Sequence, residues 1–456
     1  MSIDEPVGPS RAAVIAAVEE LGAFAASFSL ADLEPSERAA LELVLIDTLG
    51  VIVAGTRTSE FRGLASTVDD AGSGSSRIPG TDLRLPVDTA AFLIGTASCM
   101  LELDEGNKYA RGHPAAHAVP AVLALAGASD ATVRSMLEAI LVGHEVAARF
   151  GRAVRLRSGH HPHGNWGVPG AAAAAAKLTG CSGASIAGAI DAAAGLALAN
   201  PFDAALEGTF VRNTWIGMAA VSGIQSARLA RAGLATNDGT AGSSFGRLIG
   251  SFDPVALTDE LGSRLDVRLG YLKIHASCSF THPPIDAALA LREDPRFDID
   301  RIAGVEVRTH RLAVPLDRPG PDSRLAAMFS IPFLVAVALR SGRVGLDASD
   351  APNRSDAHVI ALADRVRVVH EPAHDDRAPA ERPAEVIITM EGGEVLSCAV
   401  PNPVGDADHR PLDRAAVESK LEALIGGGPT ERIVRAVESI RTDGGRSAAH
   451  FLDDLP

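Results

Sequence analysis

The chain has 456 residues, 46% hydrophobic but only 4% aromatic, and a net charge of −15. That length exceeds what one hydrophobic core usually serves and predicts two domains, with cores built from small aliphatic side chains and tight helix contacts. The negative charge excludes a general attraction for nucleic acid or an anionic membrane, while leaving the local charge of any pocket undetermined.

The start, Met1-Ser2-Ile3-Asp4-Glu5-Pro6, is acidic and lacks a basic segment followed by an apolar run, so no secretory signal is expected. Residues 10 to about 265 read as helix after helix. Ser36-Glu37-Arg38 opens a run with apolar positions at Leu41, Leu43, Val44, Ile46 and Leu49, the pattern of a buried helix. Val87-Asp88-Thr89 caps a helix expected to run through Met100 toward Asp104. Gly112 is a break, and Pro114 and Pro120 suit helix starts. Gly170 to Leu178 is an alanine-rich helix, and Met218 to Leu229 is another. The apolar stretches are rich in Ala and Gly and interrupted by charge, so none is expected to span a membrane.

Near residue 268 the pattern changes. Val305–Thr309, Val366–Val369 and Val386–Thr389 alternate like strands, and Glu391-Gly392-Gly393-Glu394 turns into a fourth at Val395–Val400. Helices near 329–341 and 355–364 complete an α+β module, with 370–384 a polar surface loop and 411–441 helical again. The expected architecture is therefore a large all-helical domain from 1–267 and 405–456, and a smaller α+β domain over 268–404. The four cysteines, Cys99, Cys181, Cys278 and Cys398, are scattered with no Cys-x-x-Cys pair, which argues against a zinc ribbon or disulfide scaffold and fits a reducing cytoplasm.

Chemistry concentrates in four stretches that hold both tyrosines, both tryptophans and two of the four lysines: Asp104 to Pro114, His160 to Gly167, Arg212 to Trp215, and Tyr271 to His275. Where arginine supplies nearly all positive charge, an isolated lysine suggests a need for an amine, because a buried amine can lose its proton and a guanidinium cannot. Lys108 and Lys273 are site candidates on that ground. Asp104 and Lys108 are four apart and share a face if the helix continues, although Gly106 argues against a regular helix there. His113 and His117 also have a metal-ligand spacing, but without a His-Glu-x-x-His pattern or a helical acidic partner, and no metal is expected. His113 suits general acid–base work or a hydrogen bond to a carboxylate. The loop His160-His161-Pro162-His163-Gly164 precedes a helix N-terminus, whose backbone N–H groups favour an anion. Arg212 suits a bidentate carboxylate or a buried ion pair. No nucleotide-binding fingerprint is present.

In this order the stretches resemble the MmgE/PrpD family. The resemblance is carried by Leu103-Asp104-Glu105 to His113-Pro114 with Pro120-Ala121, and by His161-Pro162-His163-Gly164 before Gly170-Ala171-Ala172-Ala173. Gly217-Met218-Ala219-Ala220, Lys273-Ile274-His275-Ala276-Ser277-Cys278 and His282-Pro283-Pro284-Ile285-Asp286 complete it. The resemblance implies a helical domain built from both chain ends, an α+β lid between them, a homodimer, and a site at the domain junction that uses no cofactor. Asp104, His113, His161 and Lys273 match family active-site positions. Lys108 stands where decarboxylating members have threonine, Arg212 where they have lysine, and Trp215 where a histidine is usual.

The family's activities include 2-methylcitrate dehydration, cis-aconitate decarboxylation and iminodisuccinate epimerisation. They share proton transfer at carbon next to a carboxylate, which needs a placed proton-transfer group and fixed donors for the enolate charge. The expectation is a cofactor-independent lyase acting on a small di- or tricarboxylate. Asp104, Lys108, His113, His161 and Lys273 are its candidate catalytic groups, with Tyr109, His163, Arg212 and His275 as candidate substrate ligands. A two-base epimerase and a non-catalytic carboxylate-binding protein are the alternatives.

Overall fold

Alanine and glycine dictate how the N-terminal part packs, because with small side chains at their contacts the helices meet nearly backbone to backbone. A Cβ on Gly95 of helix Val87–Cys99 would lie 2.7 Å from Gly217 Cα of helix Val211–Arg231. Gly170 of helix Val168–Leu178 presses in the same way on Gly143 and Ala147 of helix Val133–Ala153. The computed structural model describes residues 8–68 and 72–456, and the acidic start at Met1–Pro6 lies outside them. Around these crossings one apolar core runs from Val14 to Ala276 and resumes from Val417 to Leu455.

Helix Pro35–Thr56 is the longest described. Its most apolar window has a mean hydropathy of 1.8, long and apolar enough to cross a membrane, contrary to the sequence expectation. In the structure 83% of that window is buried within the protein. The returning helices Arg414–Ile425 and Gly427–Ser439 cover part of it, and Lys420 Nζ reaches the buried Asp47 at 2.6 Å.

Two other sequence expectations shift. Pro120 lies inside helix Pro114–Ala126 rather than starting one. Every residue of that helix except Leu125 is buried, so packing outweighs the backbone bond that proline gives up. The helix from Val87 ends at Cys99, and Glu102 takes a left-handed φ of 52° that turns the chain into an extended stretch. Asp104 and Lys108 therefore do not share a helical face. The helical body is also not purely helical: Ser76–Arg77 pairs with Arg84–Leu85, Val154–Leu156 with Gly250–Phe252, and Gly106–Asn107 with Gly270–Tyr271.

The second core takes Ala205 and Leu206 and then runs from Cys278 to Val400. It is a four-stranded sheet in the order Val395–Val400, Ala384–Met390, Ile302–Thr309, Val366–His370. The last two strands are parallel and the other neighbours antiparallel. The expected turn at 391–394 is present, with Gly392 and Gly393 at φ values of 104° and 87° that favour glycine. Helices His282–Arg292 and Ile331–Ser341 pack together in this core. The polar segment expected as a surface loop also reaches inward: Arg382 is 6% exposed and lies 4.2 Å over the Tyr271 ring. That ring face attracts a guanidinium, and Asp406 Oδ2 at 3.5 Å shares its charge.

Burying Asp47 without its ammonium would leave an uncompensated charge. Lys420→Met is expected to destabilise the fold at neutral pH by about 3 kcal/mol in urea unfolding. Burial already raises the Asp47 pKa, with Lys420 opposing. Losing Lys420 raises it further, so the folded variant holds a proton that the unfolded chain releases. The deficit should therefore shrink as pH falls toward the unfolded carboxylate value near ~3.9. An unchanged unfolding midpoint would refute the role of this pair.

Candidate active site

The strand pair Gly106–Asn107 and Gly270–Tyr271 is short, but its register decides the site. Extended by two residues, it sets Asp104 across from Lys273, and Lys273 Nζ donates to Asp104 Oδ1 at 3.0 Å. Gly106 permits the pairing, because a Cβ there would fall 2.3 Å from the Tyr271 ring. Lys273 Nζ also lies 3.9 Å from Glu102 Oε2, and Glu102 Oε1 pairs with Arg212 Nη1. All four side chains are at most 2% exposed. The cluster thus holds two cations and two carboxylates.

His113 occupies the N-cap position of helix Pro114–Ala126. Its Nδ1 lies 2.8 Å from the Glu105 carbonyl and 3.1 Å from Asp104 Oδ2, so the proton belongs on Nδ1 and Nε2 carries a lone pair. Glu105 is fixed in turn by His144 Nε2 at 3.0 Å and the Ala115 N–H at 3.0 Å. The His113 side chain is 10% exposed, more open than its partner Asp104 at 1%.

His161 and His163 close the other side. The His163 N–H donates to His161 Nδ1 at 3.1 Å, so a neutral His161 carries its proton on Nε2. That nitrogen lies 3.4 Å from Arg212 Nε. Two N–H groups therefore converge, an arrangement that an incoming carboxylate oxygen would relieve. Arg212 Nη2 lies 3.3 Å from His163 Nε2 and its guanidinium 5.2 Å over Phe329 of the α+β domain. The sequence expectation that the loop's backbone amides hold an anion is not met. The N–H groups of His161, His163, Gly164 and Asn165 bond to Asn200 O, His161 Nδ1, His117 Nε2 and Pro162 O.

The electrostatics separate the roles. Burial pushes the Asp104 carboxyl up, but His113, Lys273 and Arg212 outweigh it and bring it down to about 2. Burial pulls the Lys273 ammonium down, yet Asp104 and Glu102 leave it well above the ordinary lysine value. Lys273 is thus a proton carrier at rest, contrary to the deprotonated amine the sequence suggested. Burial lowers His113 to about 3, and burial together with Arg212 lowers His161 and His163 well below the usual range. At neutral pH the cluster is an ammonium, a guanidinium, two carboxylate positions and three uncharged imidazoles.

Other candidates stand apart. Lys108 Nζ donates to Asp406 Oδ1 at 2.9 Å and Ala380 O at 2.7 Å, and lies 2.7 Å from Asp408 Oδ2. Its hydrogens are committed to the junction with the α+β domain, so the geometry gives it a clamp rather than a free base. Tyr109 donates to the same Asp408 at 3.0 Å. His275 Nε2 meets Asp286 Oδ1 at 2.9 Å, while Asp286 Oδ2 accepts the Val404 N–H at 2.7 Å, so this histidine braces the junction. His117 is consumed between His113 O at 2.8 Å and the Gly164 N–H at 3.2 Å, which removes the His113–His117 pair as a metal site. Asp104, His113 and His163 do bring ligand atoms within 4.8 Å of one another. A divalent ion there would face the Lys273 ammonium and the Arg212 guanidinium, so the set suits an anion better. Sequence reasoning missed Glu102, whose only signal was the alternation Leu101-Glu102-Leu103-Asp104, and missed Asp406 and Asp408, which had none.

A buried acid–base cluster at the seam of a helical body and an α+β domain defines an enzyme. The sequence profile of the MmgE/PrpD N-terminal domain matches residues 19–245, and that of the MmgE/PrpD C-terminal domain matches residues 275–442. The chain belongs to the MmgE/PrpD family. It is similar to the cis-aconitate decarboxylase of Homo sapiens, 28% identical over 432 residues that cover 87% of this chain and 86% of that one. It is also similar to the cis-aconitate decarboxylase-like protein oryM of Aspergillus oryzae, 26% identical with 88% and 89% covered. Cis-aconitate decarboxylase of Aspergillus terreus is 26% identical, with 80% of each chain covered.

The neutral histidines set an acid limit on stability. His113, His117, His161 and His163 are all depressed in the fold, chiefly by burial. Such groups stabilise the fold fully above their unfolded value near ~6.5, and that stability is lost as pH falls toward the folded values. Urea midpoints should therefore drop steeply between about pH 6.5 and 4, and histidine NMR should find these rings neutral at pH 6. A His113 titration midpoint near ~6.5 would contradict the assignment.

Proposed function

We propose that this enzyme is a lyase acting on a small di- or tricarboxylate, by acid–base chemistry that needs no cofactor. The carrying observation is the pairing of a protonated Lys273 and an uncharged His113 on the two oxygens of one buried carboxylate, Asp104. The substrate carboxylate docks on Arg212 and the His161 Nε2–H, competing with Glu102 for the guanidinium. Decarboxylation, the activity named for its relatives, is the preferred reaction. Carbon dioxide leaves without the bonding pair. The pair is held as a carboxylate-stabilised carbanion facing Lys273 and Arg212. The Lys273 ammonium then gives a proton to carbon, and the His113–Asp104 pair restores that proton from solvent. In the dehydrating variant of the same chemistry, His113 Nε2 takes the α-proton, Lys273 protonates the departing hydroxyl, and water leaves.

The test is proton NMR of cis-aconitate and related di- and tricarboxylates in D₂O. A net bond cleavage is expected, with deuterium at the former carboxyl-bearing carbon if carbon dioxide is lost, and loss of the acidic-carbon proton signal if water is lost. Exchange without net loss would replace the lyase by an isomerase, and no exchange with any bound carboxylate would refute enzymatic proton transfer. With a turned-over substrate, Lys273→Met and His113→Asn should each slow kcat by about 10²- to 10⁴-fold while the fold persists. Near-normal rates in both would move the chemistry elsewhere.

Lys108 acts in this reading as a positioning residue. Its ammonium ties Asp406 and Asp408 to the stretch that carries Asp104, and Gly405 in turn bonds Leu272 beside Lys273. Lys108→Met should lower kcat about tenfold or more by loosening Lys273. Lys108→Arg, which keeps the charge, should recover much of the loss. Equal failure of both variants would indicate that the amine itself reacts.

A further inference from the structure

A second charged feature lies outside the catalytic cluster, on the opposite side of the same loop. Asn107 and Gly112 close this loop with two backbone bonds, Asn107 N–H to Gly112 O at 2.8 Å and Gly112 N–H to Asn107 O at 3.3 Å. The Asn107 side chain caps it from within, accepting the N–H groups of Tyr109 and Ala110. A Cβ on Gly112 would lie 2.3 Å from Trp166, so the loop is seated tightly on the body. Arg111 has a φ of 59°, a conformation in which a residue with a side chain is strained unless its surroundings hold it.

Arg111 lines a cleft of about 480 Å³ together with Tyr109, Arg152, Arg155, Asp253 and Pro379. That volume suits a small organic molecule. The charge inside it is unbalanced. Arg152 shares its charge with Asp266 at 3.1 Å. Arg155 donates only to the Arg152 carbonyl, and neither Arg155 nor Arg111 has a carboxylate partner among the described residues. Asp253 is the single acidic lining residue, and its Oδ1 accepts the Val255 N–H. In a chain with net charge −15, two arginines without a carboxylate partner among the described residues line this one cleft.

We infer that this cleft is a second anion site, built to take a small polyanion of the di- or tricarboxylate or phosphate class on Arg111 and Arg155. Arg111, and the Arg155 N–H groups not given to the Arg152 carbonyl, are placed to form charge-assisted hydrogen bonds. Pro379 on the rim belongs to the segment whose Ala380 carbonyl receives Lys108, so a ligand here touches body and α+β domain together. It also pins the loop that ends at His113. The inference rests on the charges of the cleft and stands whether or not the lyase reading holds.

The experiment is isothermal titration of citrate and of inorganic phosphate into the purified protein, an Arg111→Gln/Arg155→Gln variant, the single Arg155→Gln variant, and Lys273→Met. Wild type and Lys273→Met should bind at least one of the two anions, which separates the cleft from the catalytic cluster. The double variant should lose about tenfold or more in affinity, and the single variant, whose exposed side chain gives up only a bond to the Arg152 carbonyl, part of that. Binding of citrate alone assigns the site to carboxylates, and binding of both to polyanions generally; either supports it. Unchanged affinity in the double variant, or no binding of either anion by wild type, would overturn the proposal.

Discussion

A buried ion pair, Asp104 with Lys273, is the contact on which the rest of the site depends. Taking both charges out of water is costly, and neighbouring charged and polar groups offset that cost. Asp104 Oδ2 faces His113 Nδ1 at 3.1 Å; Lys273 leans on Glu102; Glu102 pairs with Arg212. Remove any one of these and a charge is stranded where no water replaces the lost partner. Five residues from three distant parts of the chain are thereby tied to a single geometry.

That geometry is delivered by very little regular structure. Two residues of strand on each side set Asp104 opposite Lys273, and a third stretch at Gly405–Asp406 joins them. The third stretch is the return from the α+β domain to the helical body. The site is thus assembled from the chain's outward crossing, its return, and the loop before helix Pro114–Ala126. A shift between the domains would be felt first at these bonds. Lys108, Tyr109 and His275 all bond to residues of this junction.

The histidines acquire their character from position. Four lie within one buried neighbourhood, His113, His117, His161 and His163, and burial keeps them uncharged. Uncharged imidazoles beside an ammonium and a guanidinium provide lone pairs and N–H groups without adding charge. Backbone contacts fix which nitrogen carries each proton, so His117 becomes a peg, His161 a donor and His113 an acceptor toward the open side. The same residue type at three places thus performs three tasks.

Much of this was legible in the sequence. Periodicity located the helices of the body, and alternation located each strand of the sheet, because burial imposes those periods locally. Rarity marked four stretches rich in the few lysines and aromatic residues, and these hold Asp104, His113, His161, Arg212 and Lys273, which the fold brings together. What the sequence could not determine was partnership. Nothing near Lys108 indicates that its charge would meet Asp406, 298 residues away, or that Glu102 rather than a substrate would hold Arg212. The same limit applies to protonation. The sequence argued for an amine able to lose its proton, but the proton's position depends on which carboxylates lie within a few ångströms once the chain has closed. Local patterns determine local structure; distances between remote segments, and the charges they fix, belong to the tertiary fold alone.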